Sequence, residues 1–296
     1  MVEQIAGKWR VNGAPTIPLH GTSFRMLGRS DDQVLDALYY GFEWEAAETR
    51  LFAMLVQDAA VVLDLGANTG VYTLMSTRAS PDVRVIAVEP GPANAERLRT
   101  NLRLNGGDDR VTTVEAAVGS AQGTLALTVP ADGAISDVAS PVDAFARAHW
   151  GIDYTTVTVV QTTVDQLVAD HRLDHVDLIK LDVECFELPV LEGAQETLAT
   201  FAPVVLAEVF DHDVLTGNWP ELKGRIPADG EQVEALMGSH GYAFFAIGER
   251  GVLRVQTLRG IPDGRSNYLF VKAPPDERYI PYTDEAAIRA LMRPGY

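Results

Sequence analysis

The spacing of apolar and polar positions along the chain predicts strands and helices that alternate. From about residue 60, near-continuous apolar runs at 60–65, 83–88 and 110–115 are separated by helical patterns at 70–79 and 92–104. Strands that are apolar at almost every position are typical of a parallel sheet covered by helices on both faces. The pattern therefore predicts an α/β fold. After a break it continues with helices at 163–171, 188–200, 230–240 and 284–293, and with strands at 176–182, 203–210, 242–247 and 267–272.

The segment before the first apolar run has a different pattern. Residues 1 to about 30 contain several turn-forming residues and indicate an irregular or short β-rich lead-in. Residues 31–57 show helical spacing and predict one or two helices, which Asp31 and Asp32 can cap. The apolar positions of these helices need a partner, which is either the core of the same chain or a second subunit of a homo-oligomer.

A second irregular segment interrupts the alternation of strands and helices. Residues 123–129 alternate like a strand, residues 142–149 have a helical pattern, and residues 155–163 again resemble a strand. The two strands predict a β-hairpin-like insertion at 123–160. We interpret this insertion as a candidate flap over the substrate, because it interrupts a regular scaffold, with a passive hairpin as the alternative.

Length and composition narrow the class of protein. The 296 residues suffice for one large domain with small additions, which we divide into a lead-in with helices at 1–57, a main domain at 58–275 and a helical tail at 276–296. The net charge of −17 argues against a nucleic-acid partner, because phosphate binding needs a basic surface. The single cysteine, Cys185, excludes an intrachain disulfide. No apolar segment is long enough for a signal peptide or a membrane span, so we expect a cytoplasmic protein without a membrane partner.

The most specific local pattern lies at the end of the first apolar run. The sequence Leu-Asp-Leu-Gly-Ala-Asn-Thr-Gly places Asp64, Gly66 and Gly70 between a strand and a helix, and Glu89 follows the next apolar run. The glycines let the backbone approach a ligand, and the first amides of the following helix point toward it. Glu89 stands where an acid accepts the hydrogen bonds of a ribose diol. We therefore predict an adenosine-containing cofactor.

The glycine-rich turn differs from the dinucleotide-binding fingerprint. It reads Asp-x-Gly-x-Asn-x-Gly rather than Gly-x-Gly-x-x-Gly. An acid before the first glycine repels phosphates and suits a ligand with a sulfonium and an ammonium group, such as S-adenosylmethionine (SAM). This difference disfavours a nicotinamide-dependent oxidoreductase.

A second block, Asp-Leu-Ile-Lys-Leu-Asp-Val-Glu-Cys-Phe-Glu at 177–187, completes a combination of motifs. Together with the first motif, this block resembles the FkbM family of SAM-dependent methyltransferases. The supporting segments, which extend from residue 60 to about 210, are 63–73, 88–90, 101–105, 115–119, 163–167, 177–187 and 191–194.

The resemblance implies a class I methyltransferase fold, which is Rossmann-like and has seven mostly parallel strands with the last strand antiparallel. It also implies SAM as cofactor, S-adenosylhomocysteine (SAH) as product, no metal, and methyl transfer to a hydroxyl of a sugar, a polyketide or another small natural product. Transfer to nitrogen is the nearest alternative, and an inactive SAM-binding module is another. One departure is Cys185, which stands where the family usually has glycine. If that position has a positive φ, the cysteine strains the backbone there.

We expect the cofactor to lie along the carboxyl ends of the parallel strands. Its methionyl end would contact the glycine-rich turn and the start of the next helix, its ribose would contact Glu89, and its adenine edge would contact the residues after the third strand. The predicted cofactor-binding residues are Asp64, Gly66, Asn68, Gly70, Tyr72, Glu89, Glu115, Ala116 and Asp182.

A hydroxyl acceptor gains from a general base, because the pKa of a hydroxyl is high. Asp182 follows the fourth strand, and Glu208 and His212 lie near the end of the fifth. We prefer Asp182 as the base or as the group that orients the acceptor. His212 is the second candidate, because imidazole titrates near neutral pH.

Two further groups of acids leave alternatives open. Glu43 and Glu45 precede the first strand of the main sheet and could either help to close the site or form the charged face of a helix. Carboxylates near the fourth and fifth strands could supply oxygen ligands for Mg²⁺, a role that the resemblance does not require. These carboxylates belong to Asp182, Glu184, Glu208 and Asp213.

Overall fold

The computed structural model is an α/β protein built around one large sheet. It describes residues 2–5, 8–28, 33–41, 44–106, 109–135, 139–148, 153–227, 230–259, 266–272 and 276–292, with the backbone alone for 2–5 and 8–10. The strands are β1 (Val2–Ile5), β2 (Lys8–Val11), β3 (Thr16–Leu19), β4 (Thr22–Arg25), β5 (Val61–Leu65), β6 (Arg84–Val88), β7 (Val111–Val114), β8 (Ala117–Val118), β9 (Gly123–Pro130), β10 (Tyr154–Thr162), β11 (Leu178–Leu181), β12 (Val204–Glu208), β13 (Tyr242–Gly248), β14 (Gly251–Val255), β15 (Asn267–Lys272) and β16 (Tyr279–Pro281).

Most helices follow the predicted pattern, with two exceptions. The helix at His212–Asn218 was not predicted, and the helix predicted at 188–200 is two helices that are divided at Gly193 and Ala194. At Gly193 the chain passes close to another backbone, since a Cβ there would lie 2.1 Å from the carbonyl oxygen of Gly119. The helices are α1 (Gln33–Tyr40), α2 (Ala46–Leu55), α3 (Val71–Ala79), α4 (Pro92–Asn105), α5 (Asp143–Ala148), α6 (Val164–Asp170), α7 (Glu187–Glu192), α8 (Gln195–Phe201), α9 (His212–Asn218), α10 (Gly230–Ser239) and α11 (Glu285–Ala290), with short 3-10 helices at Val56–Asp58 and Pro220–Leu222.

In the described part of the chain, the large sheet has nine strands in the order β16-β14-β13-β15-β12-β11-β5-β6-β7. The strands β7, β6, β5, β11 and β12 run parallel, and β15 is antiparallel to both of its neighbours. This arrangement confirms the predicted mostly parallel sheet with an antiparallel last strand. Two antiparallel strands, β14 and β16, extend it beyond the seven that we predict.

The parallel register brings the carboxyl ends of four strands to within one residue of the same level. Leu65 at the end of β5 is paired with Val88 of β6 and with Leu181 of β11, and Leu181 is paired with Ala207 of β12. Because the strands end together, the residues that follow them lie side by side at one edge of the sheet.

Each face of the sheet has its own hydrophobic core. Successive strand residues alternate between them, so that Val62 belongs to one core and Leu63 to the other. The N-terminal helices α1 and α2 pack into the first core through residues such as Leu35 and Phe52, which are fully buried. Of the two partners proposed for these helices, the core of the same chain is therefore the one observed.

The segment that interrupts the alternating pattern forms a small separate sheet. Strands β9 and β10 pair antiparallel along eight residue pairs, and β8 pairs parallel with β10. This confirms the predicted β-hairpin-like insertion. Helix α5 within it packs against the segment after β12 in a third apolar cluster, where Phe145 and Phe210 have ring centroids 5.3 Å apart.

The helical tail predicted at 276–296 contains a strand as well as a helix. Ile280 of β16 is 1% exposed and pairs with Val252, which sends its side chain into the first core. Three residues are too few for a strand pattern to be read from sequence. Among the described residues, no helix combines the length and apolar character that a membrane span requires.

The backbone after β11 turns through left-handed conformations at two consecutive residues. Glu184 has a φ of +56° and Cys185 a φ of +67°. Position 185 therefore has the positive φ at which we expect a cysteine to strain the backbone, since a residue with a Cβ occupies a conformation that favours glycine. The Cys185 side chain is buried in the third cluster, which also contains Phe145 and Leu215.

We predict that Cys185→Gly is more stable than Cys185→Ala by about 1 kcal/mol, because both variants lose the sulfur but only glycine relieves the left-handed backbone. The free energy of unfolding in urea measures the difference. Ala53→Gly in α2 is the control and should be destabilising, because φ is helical there. A Cys185→Gly variant less stable than Cys185→Ala would contradict the strain.

Candidate active site

A cavity of about 270 Å³ opens at the edge where the parallel strands end. Its walls come from the loops after β5, β6, β11 and β12, from the N-terminal helical segment and from the insertion. The residues of our predicted site that line it are Gly66, Asn68, Tyr72, Glu89, Ala116, Asp182 and Glu208.

The loop after β5 is held against the loop after β11. Gly66 has a φ of +83°, and a Cβ there would lie 1.7 Å from the backbone carbonyl oxygen of Asp182. The amide of Asp182 in turn donates a hydrogen bond to the carbonyl of Leu65. No side chain fits at Gly66, so this glycine sets the spacing between the two loops.

Glu89 is fixed at one wall of the cavity by backbone amides. Its Oε1 accepts a hydrogen bond from Gly91 at 2.8 Å, and its Oε2 accepts one from Asn68 at 2.9 Å. Burial raises the pKa of Glu89 to about 7, although these two amides act in the opposite direction. The carboxylate is thus oriented before any ligand arrives.

A buried lysine connects the carboxylates at the other end of the cavity. Lys180 is 1% exposed, and its Nζ donates to Oδ2 of Asp182 at 2.9 Å. The same Nζ lies 4.9 Å from the centroid of the Tyr72 ring, whose hydroxyl donates to Glu45. Burial alone lowers the pKa of Lys180, but Asp182 and Glu45 outweigh it and raise that pKa above its usual value.

Glu45 and Glu208 are two further acids whose charges act on Lys180. Burial raises the pKa of Glu45 to about 7, with Lys180 opposing the shift. Glu208 accepts a hydrogen bond from the Ser266 hydroxyl at 2.7 Å, and burial followed by the charge of Asp182 raises its pKa well above the usual value. Both acids therefore hold a proton more readily than an exposed glutamate does.

Three buried acceptor or hydroxyl atoms around the cavity have no hydrogen-bond partner in the described structure. They are Oδ1 of Asn68, Oγ1 of Thr69 and Oδ1 of Asp182, and all three residues line the cavity. Buried polar atoms are normally paired, so these atoms fit a ligand that supplies hydrogen-bond donors.

Two of the predicted cofactor-binding residues, Asp64 and Gly70, belong to elements that form the cavity but do not line it themselves. Asp64 is 1% exposed, accepts a hydrogen bond from the Thr73 hydroxyl and does not line the cavity. Burial raises the pKa of Asp64 to about 6. Gly70 caps the start of α3 with a φ of +98°, packed so tightly that a Cβ would lie 2.5 Å from a methyl carbon of Leu98.

Two other predicted residues, Glu115 and His212, are not among the residues that line the cavity. Glu115 is exposed and forms an ion pair with Arg99 of α4 at 2.6 Å, so only Ala116 of that pair lines the cavity. His212 is the first residue of α9, and its Nδ1 lies 3.6 Å from a carboxylate oxygen of the exposed Asp213. Glu43 lies outside the described residues.

The structure also adds residues that the sequence analysis did not place in the site. Lys180 is a single lysine within the apolar run of β11. Because a buried lysine is normally paired with an opposite charge, its position in the sequence already indicates an ion pair. Trp44, Phe145 and Phe210 form aromatic walls from segments far apart in the sequence. Among the described residues, no group of three or more His, Cys, Asp or Glu side chains could hold a metal ion.

We predict that the free energy of unfolding falls between about pH 5 and pH 8, partly through Glu187 at the start of α7. Burial, supported by the charge of Asp182, raises the pKa of Glu187 to about 8. The folded state therefore keeps a proton that the unfolded state loses near pH 4.5, and stability declines as pH rises through this window.

Glu187→Gln should reduce this decline by at least about 1 kcal/mol in urea unfolding measured across that pH range. Glu192→Gln, which changes an exposed residue at the other end of α7, is the charge-matched control and should leave the decline unchanged. An identical pH profile for Glu187→Gln and the wild type would contradict the assigned shift.

Comparison with known proteins relates this geometry to a family. The methyltransferase FkbM domain matches residues 64–244, which is more than half of the chain. Methyltransferase sdnD of Sordaria araneosa is 28% identical over 202 residues, covering 61% of this chain and 73% of its own. The 2-O-methyltransferase NoeI of Sinorhizobium fredii is 25% identical, and the match covers 58% of this chain and 72% of NoeI. The 31-O-demethyl-FK506 methyltransferase FkbM of Streptomyces tacrolimicus is 29% identical, and the match covers 63% of this chain and 74% of that protein. The chain with this cavity at its strand ends therefore belongs to the FkbM methyltransferase family.

Proposed function

We propose that this methyltransferase uses SAM and transfers its methyl group to a hydroxyl of a natural product or sugar-like small molecule. The observation that carries the proposal is the buried Glu89 carboxylate, which two backbone amides hold at the cavity wall after the second parallel strand. An acid in this place accepts the hydrogen bonds of a ribose diol. The names of the relatives NoeI and FkbM, a 2-O-methyltransferase and a 31-O-demethyl-FK506 methyltransferase, support transfer to oxygen.

The chemistry of the cavity wall fits SAM better than a pyrophosphate-containing cofactor. Glu45, Glu89 and Asp182 line the cavity, whereas none of the described residues that line it is lysine, arginine or histidine. Unpartnered acceptor atoms on Asn68 and Asp182 suit a ligand that donates hydrogen bonds. When bound, SAM supplies a methyl group on a positively charged sulfur, and the nearby carboxylates would stabilise that charge.

Asp182 is the residue that we propose to orient the acceptor hydroxyl and take its proton. It lines the cavity, its Oδ2 is held by Lys180, and its Oδ1 is without a partner in the described structure. Fixing one oxygen and leaving the other for a ligand is the geometry of a pre-oriented base. Glu208 would act as a hydrogen-bonding neighbour, because its raised pKa favours the protonated form.

We also propose that the insertion at 123–160 and the segment after β12 cover the acceptor. Pro141 and Phe145 of the insertion line the cavity together with Phe210. The contact between the Phe145 and Phe210 rings joins the two segments over the strand ends. An apolar cover of this kind excludes water from the reacting groups.

Calorimetric titration with SAH tests the cofactor assignment. We expect the wild type to bind SAH but not NAD, and Glu89→Ala to lose SAH affinity by at least about tenfold to a hundredfold, since hydrogen bonds to a buried charge are lost. Glu115→Ala, which removes an acid outside the cavity, should bind as the wild type does. Unchanged affinity in Glu89→Ala would contradict the ribose assignment, and binding of NAD alone would contradict the proposed cofactor.

Turnover of Asp182→Asn tests the proposed base. Labelled SAM identifies an acceptor among sugar and polyketide hydroxyls, and with that acceptor the variant should lose activity by about 100-fold or more while SAH affinity changes less. Because Lys180 then lacks its charged partner, thermal unfolding must show that the variant is folded at the assay temperature. Full activity in Asp182→Asn would remove the residue from the mechanism.

A further inference from the structure

We propose that Glu45 binds the α-ammonium group in the methionyl part of SAM. The assignment rests on the proposed use of SAM, and it concerns a residue that precedes the segment matched by the family, 64–244. Glu45 lines the cavity as the last residue before α2, so the N-terminal segment would contribute directly to cofactor recognition.

Glu89 and Glu45 contact different parts of the chain that follows β5. Glu89 accepts a hydrogen bond from the amide of Asn68 in the glycine-rich turn, and α3 begins three residues later at Val71. Tyr72 lies in the first turn of α3, and its hydroxyl donates a hydrogen bond to Glu45. Glu45 is therefore located beside the start of the helix that follows the glycine-rich turn, where we expect the methionyl part.

The backbone holds Glu45 firmly in this place. Its φ of +41° is left-handed, and its carbonyl accepts hydrogen bonds from the amide of Thr49 at 2.8 Å and from the Thr49 hydroxyl at 2.7 Å. That hydroxyl also lies 2.9 Å from Nε2 of His20. These contacts fix the start of α2, so that the Glu45 side chain is presented to the cavity beside Trp44.

Among the described residues, no cation donates a hydrogen bond to Glu45, although the charge of Lys180 lowers its pKa. Lys180 donates its hydrogen bond to Asp182, and Glu208 accepts one from Ser266. In the described structure the direct partner of Glu45 is the neutral hydroxyl of Tyr72. Burial keeps the pKa of Glu45 near 7, as expected of a buried carboxyl whose countercharge is not yet present. An ammonium group that donates to Glu45 would supply that countercharge.

The binding affinities of two ligands for two proteins test the assignment, and the measurement needs no acceptor. The ligands are SAH and its deaminated analogue, in which hydrogen replaces the α-amino group, and neither carries the sulfonium charge. In the wild type, loss of the amino group should weaken binding by roughly tenfold to a hundredfold. In Glu45→Gln, which retains an acceptor for Tyr72, the two ligands should bind within about threefold of each other.

Glu48→Gln is the matched control, because it removes the same charge three residues further along the chain, in the first turn of α2, at a position that does not line the cavity. It should keep the wild-type ratio of affinities, and thermal unfolding of each variant confirms that it is folded. If folded Glu45→Gln keeps the wild-type ratio of the two affinities, Glu45 does not bind the ammonium group, whereas the proposed use of SAM is unaffected. A wild-type protein that binds neither ligand would overturn the proposed use of SAM, and the role of Glu45 with it.

Discussion

The contact between Gly66 and the backbone of Asp182 is the constraint on which the site depends. Only a residue without a Cβ allows the loop after β5 to lie against the loop after β11 at this distance. Asn68, Glu89 and Asp182 follow the ends of β5, β6 and β11, and all three line the cavity. A wider spacing at Gly66 would move the loop that contains Asn68 away from the loop that contains Asp182.

The second constraint is electrostatic. Several carboxyls surround the strand ends, and the buried Lys180 donates a hydrogen bond to Asp182 and interacts through its charge with Glu45 and Glu208. An ion pair in such a place is costly to desolvate and contributes little to stability in general, so its value lies in orienting Asp182. The raised pKa values of Glu45, Glu89 and Glu187 have the same origin, since burial, which disfavours the charged form, is the largest cause of each shift. A positively charged ligand that binds there would offset part of the free energy that burying these carboxylates costs.

The periodic patterns allowed most of the scaffold to be predicted. Every position of β5 is buried, and the sequence of that strand is apolar except for Asp64, whose partner Thr73 comes from the adjacent helix. Patterns failed where a short element depends on a distant neighbour. Strand β16 pairs with β14 through Val252, and the division between α7 and α8 lies at Gly193, which packs closely against the backbone of Gly119. Neither contact is local in sequence.

The sequence by itself determined the family resemblance, the alternating α/β scaffold and the positions of Glu89, Asn68 and Asp182 at the strand ends, because each follows from its place at the end of an apolar run. Only the tertiary structure decided which other side chains share the cavity. Glu115 turns to Arg99, His212 begins a helix outside the cavity, and Glu45 meets Tyr72 across 27 positions of sequence. Spacing along a chain predicts the level of a residue in a sheet, whereas the direction of its side chain depends on partners that folding brings from elsewhere.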